Sequence, residues 1–135
     1  MYAEWTPEMS VGIGDIDVQH RKMTRKINEI SEAVDASKSK EEIIEAIKFF
    51  EAYSEEHFKT EEGYMQLYRY PEYISHQKEH IQIMADMAEI REKFNLGKIA
   101  EKEVYEGSRK VSDWFVAHMK TTDSRMALFL RGKVK

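Results

Sequence analysis

HFKTEEGYM, residues 57–65, places His57 and Glu61 four residues apart in a segment with helical periodicity. Residues at i and i+4 lie on the same face of an α-helix, one turn apart. A second stretch, YPEYISHQKEH at residues 70–80, repeats the spacing with His76 and His80. Two such pairs in one small chain indicate helices that hold something between them.

The sequence before this stretch predicts two helices. The first begins near Asp15 or Asp17, either of which has a side chain suited to an N-cap, and it ends before the SKSKEE turn. Ser39, followed three residues later by Glu42, has the spacing of a capping box and predicts the start of the second helix. The apolar periodicity of that helix continues to about Tyr68.

Two further helices follow. Pro71 suits the entry to the third helix, and Asn95 with Gly97 suits its end. The fourth helix is predicted from about Ala100 to about Lys120, and the apolar segment MALFL after it is predicted to form a short C-terminal helix that closes one end. Four helices of similar length with short loops predict an all-α fold, an up-down-up-down antiparallel four-helix bundle.

Length and composition restrict the classes of protein. The 135 residues predict one domain, 1–135, with an N-terminal arm at 1–14 and the bundle at 15–131. Acidic and basic residues are mixed along the chain without a basic stripe, which argues against a nucleic-acid partner. No apolar stretch is long enough to span a bilayer, so we expect no membrane insertion. The absence of cysteine excludes thiolate ligands and disulfides, and a cytoplasmic location is expected.

All five histidines fall at inward or paired positions. His20 lies on the apolar stripe of the first helix, and His118 lies inward on the fourth. Asp123 comes five residues after His118, so an unwound last turn would be needed to bring it back. Taken singly, His20 can be a hydrogen-bonded core residue and Asp123 a turn residue. Taken together, several buried imidazoles and carboxylates favour a metal site, because a metal removes the cost of burying them unpaired.

The number of candidate ligands indicates two ions. Seven ligands are too many for one zinc ion, and imidazole with carboxylate suits iron, manganese or zinc. Two octahedral ions need about twelve bonds. Five imidazoles, two bridging carboxylates and one shared solvent oxygen supply about eleven, which leaves one position open to a small molecule.

The stretches VGIGDIDVQH, HFKTEEGYM, YPEYISHQKEH and WFVAHMKTTD together resemble the signature of the hemerythrin family in its bacterial and archaeal single-domain form. The resemblance covers nearly the whole chain. It implies a hemerythrin-like domain with two iron ions in an oxo- or hydroxo-bridged di-iron centre. By the same resemblance, His76, His80 and His118 hold one iron, His20 and His57 hold the other, and Glu61 and Asp123 bridge the two.

The resemblance also implies a function. Dioxygen would bind reversibly at the iron with two histidines, for storage, delivery or sensing, and azide or other small anions would compete for that position. The apolar candidates for the ligand pocket are Trp114, Phe115, Ile27 and Met23. Family members often carry a smaller aliphatic residue at the place of Phe115, so its ring is expected to narrow the pocket or alter the loss of oxygen. Trp114 is equally compatible with a core aromatic.

Two other functions remain open at this point. One is an enzyme, a di-iron peroxidase or a protein that handles nitric oxide, and the other is a redox or iron sensor. An enzyme is not expected, because all seven ligands are committed to the ions and no obvious acid or base is left over. Iron storage is disfavoured because a closed site of this kind offers no mineral surface.

Overall fold

The computed structural model describes residues 2–133. Its helices are α1 (Gly14–Asp35), α2 (Lys40–Leu67), α3 (Tyr73–Asn95), α4 (Glu101–His118) and α5 (Ser124–Leu130). A 3-10 turn at Pro7–Met9 precedes α1, and a π-helical turn at Met119–Asp123 joins α4 to α5. The division of the chain into an arm and a bundle domain stays a prediction.

The four long helices form a closed ring. Each of α1, α2 and α3 packs against the helix that follows it, and α4 packs against α1. The predicted up-down-up-down four-helix bundle is therefore confirmed. None of the helices described is long and apolar enough to cross a bilayer.

The interior holds two apolar clusters. The larger fills the bundle between the four helices and includes Met23, Ile27, Phe50, Ile83 and Phe115. The smaller joins residues of the arm to α5 and to the end of α2, and it includes Val11, Ile16, Met65, Met126 and Leu130. The expectation that the MALFL segment closes one end of the bundle is confirmed.

Three of the predicted helix ends agree with the structure. The Ser39 hydroxyl accepts a hydrogen bond from the backbone N–H of Glu42 at 3.1 Å, so it caps α2 as predicted. Pro71 lies just before the first residue of α3. Asn95 is the last residue of that helix, and Gly97 follows with a φ of 73°. This left-handed conformation favours glycine after a helix end.

The start of α1 differs from the prediction, because neither Asp15 nor Asp17 caps it. The N-cap position is Ile13, and no side-chain cap is present there. The Asp17 carboxylate instead accepts hydrogen bonds from the backbone N–H of Val11 at 2.8 Å and from the Ser10 hydroxyl at 2.5 Å. Asp17 therefore satisfies backbone and side-chain donors of the arm and fixes the arm against the helix.

Gly107 lies inside α4, where glycine costs about 1 kcal/mol relative to alanine. A Cβ atom at this position would lie 3.0 Å from Cδ1 and 3.3 Å from Cγ1 of Ile90 on α3. Glycine therefore permits the close approach of α3 and α4 at this level of the bundle.

Candidate metal centre

Seven side chains with metal-binding groups meet inside the bundle, and every long helix contributes at least one of them. Each is buried, with 0–2% of its surface exposed. The set is His20 on α1, His57 and Glu61 on α2, His76 and His80 on α3, His118 on α4, and Asp123 in the π-helical turn.

Glu61 lies between two sets of histidines. Its Oε1 is 3.0 Å from Nε2 of His80 and 3.4 Å from Nε2 of His76. Its Oε2 is 3.0 Å from Nε2 of His57 and 3.4 Å from Nε2 of His20. One carboxylate thus presents a different oxygen to each set.

Asp123 divides its oxygens in the same way. Its Oδ1 is 3.0 Å from Nε2 of His76 and 3.1 Å from Nε2 of His118, whereas its Oδ2 is 3.0 Å from Nε2 of His20. The site therefore contains a three-histidine group (His76, His80 and His118) and a two-histidine group (His20 and His57). Within each group, with Glu61 and Asp123 included, one ligand atom per residue lies within 4.8 Å of all the others.

The orientation of these atoms fits metal binding. None of the five Nε2 atoms or the four carboxylate oxygens makes a hydrogen bond to any other described residue, although neighbouring atoms are 3.0–3.4 Å apart. The atoms are thus close together without being aimed at one another. Unpaired buried polar groups of this kind cost several kcal/mol unless they have a partner. Imidazole nitrogen and carboxylate oxygen suit iron, manganese and zinc, so the cluster can bind metal.

The π-helical turn explains how Asp123 reaches the site. His118 and Asp123 are five residues apart, a spacing that an ordinary α-helix would spread over different faces. A π-helical turn closes i to i+5 and brings such residues onto one face. The expected unwinding of α4 does not occur: the helix widens at Met119–Asp123 and continues into α5.

The imidazoles and carboxylates of the site shift one another's pKa values. Burial alone would lower the pKa of His20, but the carboxylates of Asp123 and Glu61 raise it to about 10. The same balance raises the pKa of His76 to about 9. Burial and the nearby Glu61 oppose ionisation of Asp123, yet contact with His118 holds the pKa of that carboxyl well below its usual range. Burial also opposes ionisation of Glu61, yet His57 holds the pKa of that carboxyl well below its usual range. Both carboxylates are thus stabilised by positive charge beside them, which a bound cation can supply.

A second layer of contacts orients three of the imidazoles. In each, Nδ1 contacts a side-chain oxygen from another helix, which leaves Nε2 facing the cluster. The distances are 2.8 Å from Gln19 Oε1 to His57, 2.9 Å from Glu62 Oε2 to His80, and 2.8 Å from Glu79 Oε1 to His118.

Glu79 also reaches the π-helical turn. The Thr122 hydroxyl donates to it, 2.9 Å from Oε1 and 3.1 Å from Oε2. One carboxylate of α3 therefore holds His118 at the end of α4 and the turn that carries Asp123.

The predicted pocket residues divide between the interior and the surface. Met23, Ile27 and Phe115 are fully buried in the larger core cluster, and the Phe115 ring lies edge-on to His20 with centroids 6.1 Å apart. Trp114 does not join them: 37% of its surface is exposed, and its ring stacks on His118 with centroids 5.5 Å apart. Successive helical residues are turned by about 100°, so Trp114 faces the groove between α3 and α4 when Phe115 faces the core.

The sequence profile of the Hemerythrin HHE cation binding domain matches residues 11–130, which include all seven side chains of the cluster. The chain belongs to the hemerythrin family.

Among curated relatives, the bacteriohemerythrin of Methylococcus capsulatus is 31% identical over 121 residues, covering 88% of this chain and 89% of the relative. The bacteriohemerythrin of Ralstonia nicotianae is 25% identical over 130 residues, covering 94% and 88%. A solved wild-type hemerythrin superimposes with a TM-score of 0.85 at 27% identity, covering 95% of this chain and 97% of that one. The fold of this chain is thus the hemerythrin fold.

Sequence reasoning missed three polar residues of this hemerythrin-family site: Gln19, Glu62 and Glu79. None of the three lies on the inward apolar stripe that predicts the cluster. A signal for them exists, because each is adjacent in sequence to a member of the cluster. A neighbour of an inward-facing residue is turned toward the next helix, where it can reach another ligand.

Proposed function

We propose that this chain binds two iron ions and that it binds dioxygen reversibly between the four helices. The observation that carries the proposal is the division of each carboxylate, with one oxygen beside the three-histidine group and the other beside the two-histidine group. Such an arrangement suits two ions that share both carboxylates. The proposed ligands are His76, His80 and His118 for one ion, His20 and His57 for the other, and Glu61 and Asp123 for both.

Two iron ions bound here would supply the electrons and the open coordination position that dioxygen requires. The protein sets where that position lies. Since both carboxylates are shared, the two-histidine group offers one ligand fewer than the three-histidine group. Dioxygen is therefore proposed to bind beside His20 and His57.

The surroundings of His20 favour a neutral ligand. Phe115 lies edge-on to its ring, and Phe115 in turn packs against Phe50, with centroids 6.5 Å apart. Met23 and Ile27, on the same helix as His20, are also fully buried. These buried apolar side chains would exclude water and disfavour the escape of charged oxygen species, so that neutral oxygen is released instead.

A binding protein is proposed rather than an enzyme. The acids and histidines of the cluster converge on the proposed ions, and Glu62 and Glu79 are engaged with ligand imidazoles. In the described part of the chain, the acids and histidines of the cluster are therefore assigned to the ions, and Glu62 and Glu79 to the imidazoles. A cytoplasmic location stays a prediction.

The test uses protein loaded anaerobically with ferrous iron and mixed with oxygen. We expect a visible charge-transfer band to form, to disappear when oxygen is removed promptly, and to form again on re-exposure. Azide added to the oxidised protein should occupy the same position. Direct conversion to the ferric state on the millisecond scale, with no coloured adduct, would contradict reversible binding. Sustained turnover of peroxide would favour the enzyme instead.

A further inference from the structure

We infer that the two metal positions are unequal: the three-histidine position binds metal first and more tightly, and Glu62 and Glu79 set this order. The inference rests on the proposed dinuclear centre and goes beyond it, because it concerns residues that are not ligands. It assigns Glu62, Glu79 and Gln19 as positioning residues that act through the imidazoles.

The contacts behind the imidazoles differ between the two groups. In the three-histidine group, two of the three Nδ1 atoms contact a carboxylate, at 2.9 Å for His80 and 2.8 Å for His118. In the two-histidine group, His57 contacts the neutral amide of Gln19 at 2.8 Å. The buried Nδ1 of His20 has no hydrogen-bond partner among residues 2–133. Among residues 2–133, carboxylates therefore contact the Nδ1 atoms of the three-histidine group and not those of the two-histidine group.

This difference changes the strength of the ligands. A carboxylate on Nδ1 makes the imidazole more basic and stabilises the positive charge that a metal places on the ring. An amide oxygen orients the ring but carries no net charge. Loss of such an outer contact typically lowers metal affinity ten- to hundredfold. Two carboxylates on one side and none on the other therefore favour metal at the three-histidine position.

Both carboxylates are fixed by neighbours and remain partly solvated. The Gln77 amide donates to Glu62 at 3.1 Å, and the Thr122 hydroxyl donates to Glu79. The Glu62 and Glu79 side chains are 21% and 32% exposed, so neither carboxylate bears the full desolvation cost of burial. The Gln19 amide is oriented by its own donation to the Thr60 hydroxyl at 3.2 Å, which turns its oxygen toward His57.

The test is titration of the metal-free protein with Co²⁺, followed by its ligand-field absorption and by calorimetry. We expect two binding steps that differ at least tenfold in affinity. His57→Asn should weaken the second step, and His80→Asn should weaken the first, which assigns each step to a group. Glu62→Gln and Glu79→Gln should each weaken the first step ten- to hundredfold. Gln19→Glu should strengthen the second step and bring the two affinities closer.

The matched control is Glu89→Gln, which removes the same charge from an exposed position of the same helix as Glu79. It should leave both steps unchanged, and circular dichroism checks that each metal-free variant is folded. Equal affinities in the unmodified protein would overturn the inference, as would Glu62→Gln and Glu79→Gln variants that bind like the control. Uptake of only one Co²⁺ would instead refute the dinuclear centre. Two unequal steps without reversible oxygen binding would refute the proposed function and leave this inference standing.

Discussion

The Phe115 ring occupies the space beside the two-histidine group. It is fully buried, lies edge-on to His20 and also packs against Phe50. Protein interiors are close-packed, so removing a few atoms here would change the space available to a bound ligand. This residue therefore connects the packing of the core with access to the proposed oxygen position.

We expect Phe115→Leu to open space beside His20 and to speed both azide binding and oxidation by air. The smaller side chain leaves space that the core fills only in part, so it should cost about 2 kcal/mol of folding stability. The control is Phe50→Leu, which makes a similar loss within the same cluster. Stopped-flow absorption measures the rates, and thermal unfolding measures the stability. Equal rates in the two variants would show that Phe115 has no special place beside the site.

Among the helical elements, the junction between α4 and α5 has the most direct effect on the geometry of the site. The π-helical turn at Met119–Asp123 places Asp123 among the histidines, and the Thr122 hydroxyl fixes this turn to Glu79 on α3. A single hydroxyl therefore connects the geometry of the turn to an outer contact of His118.

We expect Thr122→Val to cost about 2 kcal/mol, since a hydrogen bond to a charged group is worth about 1.5–3 kcal/mol. It should also weaken metal binding, because Glu79 loses the donor that orients it toward His118. Thr121→Val is the matched control: Thr121 is exposed, and among the described residues its hydroxyl donates to the backbone carbonyl of Ala117, at the end of α4. Thermal unfolding and metal titration measure both effects. A Thr122 variant that behaves like the Thr121 variant would contradict this role.

The helices themselves follow from local sequence rules. Periodicity and the Ser39–Glu42 pair predict α2 well, and i, i+4 spacing brings His57 next to Glu61. Asp17 was misassigned because its partners are donors in the arm, which no helix rule describes. The π-helical turn was not predicted either, since its stability depends on contacts with α3 that periodicity does not show.

For the whole molecule, the site joins elements that are distant in sequence. All four long helices and the turn after α4 contribute a side chain to one buried cluster. A preformed site of this kind does not exist in the unfolded chain, so binding of metal stabilises the folded state. At about a thousandfold excess of metal over its dissociation constant, the gain is about 4 kcal/mol.

We expect the metal-loaded protein to unfold on the order of 10 °C above the metal-free protein, given a shift of about 2–4 °C per kcal/mol. Glu61→Ala should lose at least one of the two proposed irons and narrow this gap, because Glu61 faces both histidine groups. Glu55→Ala, at an exposed position of the same helix, should leave the gap unchanged. Calorimetric melting with metal analysis provides the measurement. Retention of both irons by the Glu61 variant would show that it does not bridge them.

The contacts to the Nδ1 atoms of the imidazoles follow one rotational sense around the bundle axis. Gln19 precedes a ligand on α1, Glu62 follows one on α2, and Glu79 precedes one on α3. One residue turns a helix by about 100°, and neighbouring helices of the bundle run in opposite directions. A backward step on one helix and a forward step on the next therefore rotate in the same sense around the bundle axis. The three contacts (Gln19 to His57, Glu62 to His80 and Glu79 to His118) therefore follow one another around the bundle in one rotational sense, each from one helix to a ligand on the next. We call this set of contacts the belt.

Continued by one more step, the belt would use the residue directly after His118, at the start of the π-helical turn, and would reach α1. That residue is Met119, whose thioether is a poor acceptor, and the Nδ1 of His20 has no hydrogen-bond partner in the described residues. The belt therefore lacks its fourth contact, between α4 and α1, and we call this gap the seam. The seam falls on the side of the molecule where dioxygen is proposed to bind.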